Sequence, residues 1–415
     1  MAVQTPPREA IVIAGGGIAG LTLALALKCA LGPSFAVIVA DPALAGPERA
    51  DNRAYAVAAA AQAMLQTLGI WDAIGASAQP MTEMVISDSR SGDVVRPVFL
   101  TFDGEVEPGQ PFAHMVESAA LIAALTEACR EAGVALRGEG VVQYVADDRG
   151  GTATLTSGAV MAVRLLVAAD GARSKLREQA GIGWVGWGYR QSGLVATIGH
   201  ERPHHGRAVE HFLPSGPFAI LPLRDGGRLG HRSSIVWSER AENLQALLSL
   251  DDDGMLAEIE RRFGLELGEI ALESPVSSHP LSFGVARRFV APRLALLGDA
   301  AHVIHPIAGQ GLNLGLKDVA ALAETIVDAA RLGLDPGSED VLDGYERARR
   351  FDTVAMGAVT DGLNRLFSYD ATPIRLARDL GLGIVDRLPG LKRFFIREAA
   401  GIAGAAPRLL RGEGL

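Results

Sequence analysis

Short apolar runs, glycine-rich turns and Ala/Leu-rich stretches alternate along this chain. Ile11-Val12-Ile13-Ala14 reads as a buried strand, Ile18 to Leu31 as a helix, and Phe35 to Ala40 as a second buried strand ending at Asp41. Together they make a βαβ unit of ~30 residues. Ala54 to Leu68 reads as a helix stopped by Gly69, residues 81–106 as strands turning at Ser91-Gly92-Asp93, and residues 117–132 as another helix. Leu165 to Ala169 is a buried strand meeting Asp170-Gly171. Strands are predicted at Leu194–Ile198, Ala208–Leu213, Phe218–Pro222 and Ser234–Val236, with a hairpin signal at Arg224-Asp225-Gly226-Gly227. Helix returns at 241–263, a strand at Leu294–Leu297, a long helix at Leu312–Leu332, and mostly helix beyond 340.

The strand–helix units are interrupted by β-rich segments. That predicts an α/β fold: a discontinuous nucleotide-binding domain (1–80, 108–185 and 285–345), an inserted, mostly antiparallel β-sheet domain (81–107 and 186–284), and a helical C-terminal region (346–415).

Composition narrows the class. With 48% hydrophobic and 21% charged residues, the chain reads as soluble and globular. No apolar run reaches the ~20 residues that span a bilayer. The first strand follows Met1 so closely that no signal peptide is expected. Cys29 and Cys129 are expected to be buried reduced thiols of a cytosolic protein. A net charge of −9 argues against nucleic-acid binding. The charge is uneven: residues 346–415 hold 12 Lys and Arg against 8 Asp and Glu. A basic tail on an acidic body suits an anionic membrane or an acidic partner, and equally a solvated helical face.

Two glycine-rich turns carry the candidate chemistry. Gly15-x-Gly17-x-x-Gly20, with Ile18 and Ala19 between its last two glycines, joins the first strand to its helix. Gly15 permits the tight turn, Gly17 lets backbone approach a pyrophosphate, and Gly20 lets helix and strand pack closely. Asp41 stands 21 residues after Gly20, placed to accept from ribose hydroxyls. These residues fit NAD and FAD equally. The second turn runs from Gly298-Asp299 to Gly309-Gln310-Gly311-Leu312-Asn313 and Asp318. One dinucleotide needs one pyrophosphate site, so this helix start needs another task. Its N–H groups and positive dipole end suit the negative charge of a reduced flavin ring, with Asp299 on the ribityl chain. Arg53 could neutralise cofactor phosphate or steady the flavin, and Asp170 marks a third turn at a strand end. His302 and His305 do not read as metal ligands, because Pro306 breaks their spacing and no Cys or Glu completes a set. His200, His204, His205 and His211 are expected at the surface.

The residues His305-Pro-x-Ala-Gly-Gln-Gly-x-Asn-x-Gly-x-x-Asp318 also resemble the motif of a known family. Further matches are Asp51-x-Arg53-Ala54, Leu68-Gly69-Ile70-Trp71, Asp170-Gly171-Ala172-Arg173-Ser174, Phe212-Leu213-Pro214-x-Gly216-Pro217, Leu221-Pro222-Leu223, Leu363–Phe367 and Gly381-Leu382. The chain resembles FAD-dependent aromatic hydroxylases of the p-hydroxybenzoate hydroxylase fold, and within them the ubiquinone-biosynthesis polyprenyl-phenol hydroxylases. The resemblance implies FAD as cofactor, NADPH or NADH as transient co-substrate, and O₂ with a polyprenylated phenol as substrates. It also implies reaction through a flavin C4a-hydroperoxide. It places the substrate between the inserted sheet, including Phe218 and Leu221, and a flavin above His305, Pro306 and the glycine loop. Ser118-Ala119 departs from the family's Asn-Arg pair, so FAD binding is expected to lean on Arg53. Leu391, Phe394, Phe395, Ala399 and Ile402 fall on one helical face beside Lys392, Arg393 and Arg397. That face suits packing, membrane contact or a ubiquinone-biosynthesis protein complex. A cytoplasmic protein peripheral to the inner membrane is expected. Hydroxylation of a soluble aromatic acid or secondary metabolite, or a non-catalytic FAD-binding scaffold, are the alternatives.

Overall fold

The computed structural model describes residues 10–46, 51–88, 98–103, 105–107, 109–147, 150–368, 400–402 and 406–415. Its centre is a six-stranded sheet in the order Ala135–Arg137, Val37–Ala40, Ile11–Ala14, Leu165–Ala168, Leu294–Leu296, Val290–Ala291. The first five strands run parallel and the last antiparallel. Every residue of Ile11–Ala14, Val37–Ala40, Leu165–Ala168 and Leu294–Leu296 is buried. Burial of successive residues means that both faces are covered, so these strands read as continuous apolar runs. The helices Ile18–Leu31 and Gln310–Arg331 pack against each other in this core.

The second sheet has nine strands. Eight lie in the order His302–Val303, Ser277–Ala286, Trp184–His200, His231–Arg240, Gly216–Leu223, Arg207–Leu213, Glu83–Asp88, Val98–Asp103, and Ile270–Leu272 pairs beside Trp184–His200. Neighbours are antiparallel except Arg207–Leu213 with Glu83–Asp88. Side chains alternate between its two faces. On one face Leu194, Ile198, Phe218, Ile220, Ile235 and Trp237 form a core with the helices Ala241–Leu248 and Asp252–Phe263. The intervening positions, among them Val195, Ala219, Leu221 and Val236, look into a cavity shared with the parallel sheet.

Several sequence expectations change. Ala54–Ala58 is a strand paired with Ala113–Glu117, and helix begins only at Ala59. An alanine-rich stretch carries little periodicity, and pairing with a neighbouring strand decides it. The long helix starts at Gln310, inside the glycine loop. His200, His204 and His211 are buried, and only His205 of that group is exposed. Hydrogen bonds make their burial tolerable: His200 Nε2 lies 2.9 Å from Ser233 Oγ, and His204 Nε2 donates to the Leu223 carbonyl at 2.8 Å. Loss of hydration lowers the pKa of both rings. Both cysteines are free. Cys129 is buried, but Cys29 is exposed in the final turn of its helix. The tail forms the helix Glu339–Ser368. The turn at Ser91-Gly92-Asp93, Gly381-Leu382 and the amphipathic stretch Leu391–Ala399 lie outside the described residues. Among the described residues, no helix is long and apolar enough to cross a membrane.

Candidate active site

The cavity between the two sheets has a volume of about 520 Å³. That is within the usual range for ligand sites. Two helix N-termini open into it. At the first, Gly17, Ile18, Ala19 and Gly20 line the wall. Gly17 caps this helix without a side-chain hydrogen bond, and no acidic residue sits in the first turn. At the second, Gly309, Gln310, Gly311, Leu312 and Asn313 line the opposite stretch, and Gly309 caps the helix, again with no side-chain bond. Both ends therefore present uncapped N–H groups and a positive dipole end to one space.

The glycines are required at specific points. Gly15 has φ of +126°, and a Cβ there would lie 2.1 Å from the Ala169 carbonyl oxygen. A Cβ on Gly20 would lie 2.0 Å from the Gly15 carbonyl oxygen. At Gly17 and Gly311 a Cβ would meet nothing within 4 Å, so the backbone there faces open space. A turn clamped behind and open in front is what a flat anionic ligand needs for close approach to backbone N–H groups.

Charged groups mark the walls. Arg53 lines the cavity and forms a two-pronged pair with Asp51, both contacts 2.8 Å. Ser118, which is buried, donates its hydroxyl to the same carboxylate at 2.7 Å. Burial alone would raise the Asp51 carboxyl, but Arg53 and Ser118 outweigh it and hold it at about 2. Ser118 thus braces Asp51, and through it Arg53, the arginine on which FAD binding is expected to lean. Asp299 is accessible from the cavity. The surrounding walls remove enough hydration to raise its carboxyl above the ordinary range, opposed by the nearby His302 and Arg53.

Beneath the second turn lies a buried charged network. Asp318 accepts from His302 Nε2 at 2.5 Å and from Arg349 Nε at 2.8 Å. The Gly298 N–H reaches it at 3.3 Å, and Arg349 also donates to Asp352 at 2.8 Å. Burial pushes the Asp318 carboxyl up, but His302 and Arg349 win and hold it below the usual range. Asn313 ties the same helix to the strand Ala54–Ala58: its Oδ1 accepts from the Ala58 N–H at 3.0 Å, and its Nδ2 donates to the Ala56 carbonyl at 2.9 Å.

Of the predicted residues, Gly17, Ile18, Ala19, Gly20, Arg53, Leu221, Asp299, Pro306, Gly309, Gln310, Gly311, Leu312 and Asn313 converge on the cavity. Gly15 forms the turn behind it. Asp41 ends its strand beside that turn but uses its carboxylate on the Gly16 and Ala43 N–H groups, at 2.7 and 2.8 Å. Asp170 lies outside the cavity wall and accepts from the Lys175 N–H at 3.0 Å. Two pocket expectations are corrected. Phe218 is wholly buried on the far face of the sheet, because strand alternation sends Pro217, Ala219 and Leu221 to the cavity instead. His305 also turns away: it is wholly buried, packs edge-on against Tyr189 at 5.1 Å, and leaves both ring nitrogens without a hydrogen-bond partner among the described residues. Sequence reasoning missed Glu210, a cavity-lining carboxylate that is 4% exposed. Its signal was a charged residue between Ala208 and Phe212 on one face of its strand.

Comparison with known proteins joins this geometry to chemistry. Residues 8–360 match the family model described as an FAD binding domain. The ubiquinone hydroxylase UbiL of Rhodospirillum rubrum is 46% identical, over 97% of this chain and 92% of that protein. The chain belongs to the ubiquinone-biosynthesis hydroxylases, a family of FAD-dependent monooxygenases. The 3-demethoxyubiquinol 3-hydroxylase of Escherichia coli is another relative, 34% identical over 94% of this chain and 98% of its own length. The crystal structure of p-nitrophenol 4-monooxygenase PnpA from Pseudomonas putida superposes with a TM-score of 0.76, covering 96% of this chain and 99% of that one at 20% identity, which bears on fold alone. This hydroxylase is therefore an FAD enzyme of mixed α/β fold. Two uncapped helix ends around one cavity, with glycines that no Cβ could replace, fit that cofactor.

Proposed function

We propose that this hydroxylase oxidises the aromatic ring of a polyprenylated phenol in ubiquinone biosynthesis, using NADPH or NADH and O₂. The observation that carries this reading is the full-length similarity to ubiquinone hydroxylases, combined with a cavity whose sheet wall is made mostly of small and apolar side chains. Gly193, Val195, Ala208, Ala219, Leu221 and Val236 leave room for a ring and exclude water around it.

Bound FAD supplies the redox chemistry, passing electrons from the nicotinamide to O₂. The chain's task is to bind, orient and protect. In this reading the Gly15–Gly20 turn holds the pyrophosphate, with Asp41 and Asp170 at the adjacent strand ends. Asp299 holds the ribityl chain. The N–H groups of Gly309 to Asn313 face the flavin ring and offset the negative charge that it gains on reduction. Arg53, held by Asp51 and Ser118, contributes positive charge at the same mouth. His305 and Pro306 shape the loop, with Pro306 alone reaching the wall.

A division of the chain accompanies this reading: residues 1–80, 108–185 and 285–345 for FAD, 81–107 and 186–284 for substrate, and 346–415 as a helical C-terminal region. Membership of the two large sheets supports it, apart from His302–Val303, which joins the antiparallel sheet from within the 285–345 segment. A lipid-partitioning substrate also favours a cytoplasmic protein that touches the anionic inner membrane, or a biosynthetic complex, through its basic C-terminal region. Binding of the purified enzyme to anionic and neutral vesicles tests that part. The substrate is tested by supplying polyprenylphenols to the FAD-loaded enzyme and identifying the product. A hydroxylated ring supports the proposal; turnover of soluble aromatic acids alone refutes it.

A further inference from the structure

Along the long strands of the sheet wall, the polar residues that line the cavity are Glu210, Ser238 and His279. Their situations differ. Glu210 is already engaged within the protein. His279 is exposed, so water can serve its ring. Ser238 is 1% exposed, and its hydroxyl meets no hydrogen-bond partner among the described residues. A hydroxyl shut away from water with nothing to bond is costly, and native structures seldom keep one without a use for it.

Strand register shows what that use is. Ser238 lies on His231–Arg240 directly opposite Gly193, and Gly193 lies opposite His279 on the next strand. Directly opposed residues share a face of the sheet, and all three line the cavity. Gly193 has no side chain and so leaves a notch beside the Ser238 hydroxyl; a Cβ there would press on Leu281 at 3.2 Å. A serine hydroxyl swings about a single bond, so it can turn toward a group seated in the notch. Val236, two residues before Ser238 on the same face, starts an apolar stretch of wall with its neighbours Val195 and Ala219. Ser234, two residues further back, also has a buried hydroxyl with no partner among the described residues, but it lies outside the cavity wall. One unpartnered hydroxyl at the edge of an apolar wall suits a flat apolar ring with one polar substituent.

We propose that Ser238 binds the ring hydroxyl of the substrate. The assignment rests on the phenol reading above. The two hydroxyls share a hydrogen bond at the Gly193 notch, while the ring lies over Val195 and Val236. A ring pinned at its hydroxyl turns a fixed set of carbons toward the cofactor side of the cavity, so Ser238 sets which carbon is oxidised. It also sets specificity, because an analogue without the hydroxyl leaves the serine unpartnered.

The test uses the oxidised, FAD-loaded enzyme with an ortho-polyprenylphenol and the matching polyprenylbenzene, which lacks the hydroxyl. Binding is read from the change in flavin absorbance. Wild type should bind the phenol roughly 3- to 10-fold more tightly, the scale of one neutral hydrogen bond. Ser238→Ala should bind the two ligands alike. Its substrate-free Tm should match or exceed that of wild type, because the substitution removes no hydrogen bond within the protein. During turnover with the phenol it should release more of the consumed O₂ as hydrogen peroxide. A variant that keeps the wild-type preference for the phenol overturns the proposal. So does one that binds both ligands more weakly by the same factor with a lowered Tm, the mark of a structural role. If Ser238→Ala fails to fold, Ser238→Cys, similar in size and a weaker hydrogen-bonding group, takes its place with the same criteria. Wild type that binds the phenol with no preference over the polyprenylbenzene overturns this assignment alone. Wild type that binds no polyprenylphenol overturns the phenol reading and the assignment with it.

Discussion

Replacing Asp318 with Asn removes the charge at the centre of the buried network under the glycine loop. Asp318 is 0% exposed, His302 2% and Arg349 5%. Asn keeps the shape and one acceptor, but Arg349 would then face a neutral group, with only the half-exposed Asp352 left to it. Stranding one member of a buried ion pair costs about 3–5 kcal/mol. Unfolding entropy of about 2.1 cal/mol/K per residue over 415 residues gives roughly 0.9 kcal/mol/K. The expected fall in Tm is therefore about 3–6 °C. Thermal unfolding of the FAD-loaded protein, followed by circular dichroism, measures it. The double variant Asp318→Leu, Arg349→Leu should recover part of the loss, since neither charge is then left buried alone. An Asp318→Asn protein with wild-type Tm, or a double variant worse than the single one, would refute the reasoning.

Asp299→Ala should lose most bound FAD while its circular dichroism stays native; full flavin occupancy would contradict its assignment. Gly20→Ala forces a Cβ to 2.0 Å from the Gly15 carbonyl oxygen, so the variant should purify without flavin and resist reconstitution. Ser118→Ala removes one hydrogen bond to a charged group, worth about 1.5–3 kcal/mol, and should weaken FAD binding by roughly 10-fold or more in a flavin titration. Burial lowers the pKa of the His305 ring from 6.5 to about 4. The unfolded chain therefore binds more protons between those values, and stability should fall as pH drops from about 6.5 to about 4 and then level off. His305→Phe should flatten that fall in Tm measured against pH.

Four strands of the parallel sheet were legible because they are buried on both faces and carry uninterrupted apolar runs, such as Ile11–Ala14 and Leu294–Leu296, whereas the more exposed edge strand Ala135–Arg137 was not. The helix Ile18–Leu31 was equally plain between its glycine turn and Gly32. Ala54–Ala58 was not, because alanine favours neither period and the strand exists through pairing with Ala113–Glu117. At the site, glycine spacing located both helix starts, since a missing Cβ is visible in the sequence itself. Which side chains turn inward was harder to see. Phe218 and Leu221 sit on one strand three residues apart, so strand alternation sends them to opposite faces. His305 lies beside Pro306 yet packs behind the loop. Asp318, Arg349 and His302 meet only through tertiary contact between two helices and a strand, at separations that no local pattern reports. Glu210 could have been found by asking which charged residue interrupts the inward face of Arg207–Leu213.

The most direct test of the account is a single-turnover reaction. The FAD-loaded enzyme is reduced by NAD(P)H without oxygen, then mixed with O₂ and an ortho-polyprenylphenol. The account predicts hydroxylated phenol in near-stoichiometric amount to flavin. Flavin oxidation that yields only hydrogen peroxide, with the phenol recovered unchanged, would contradict it.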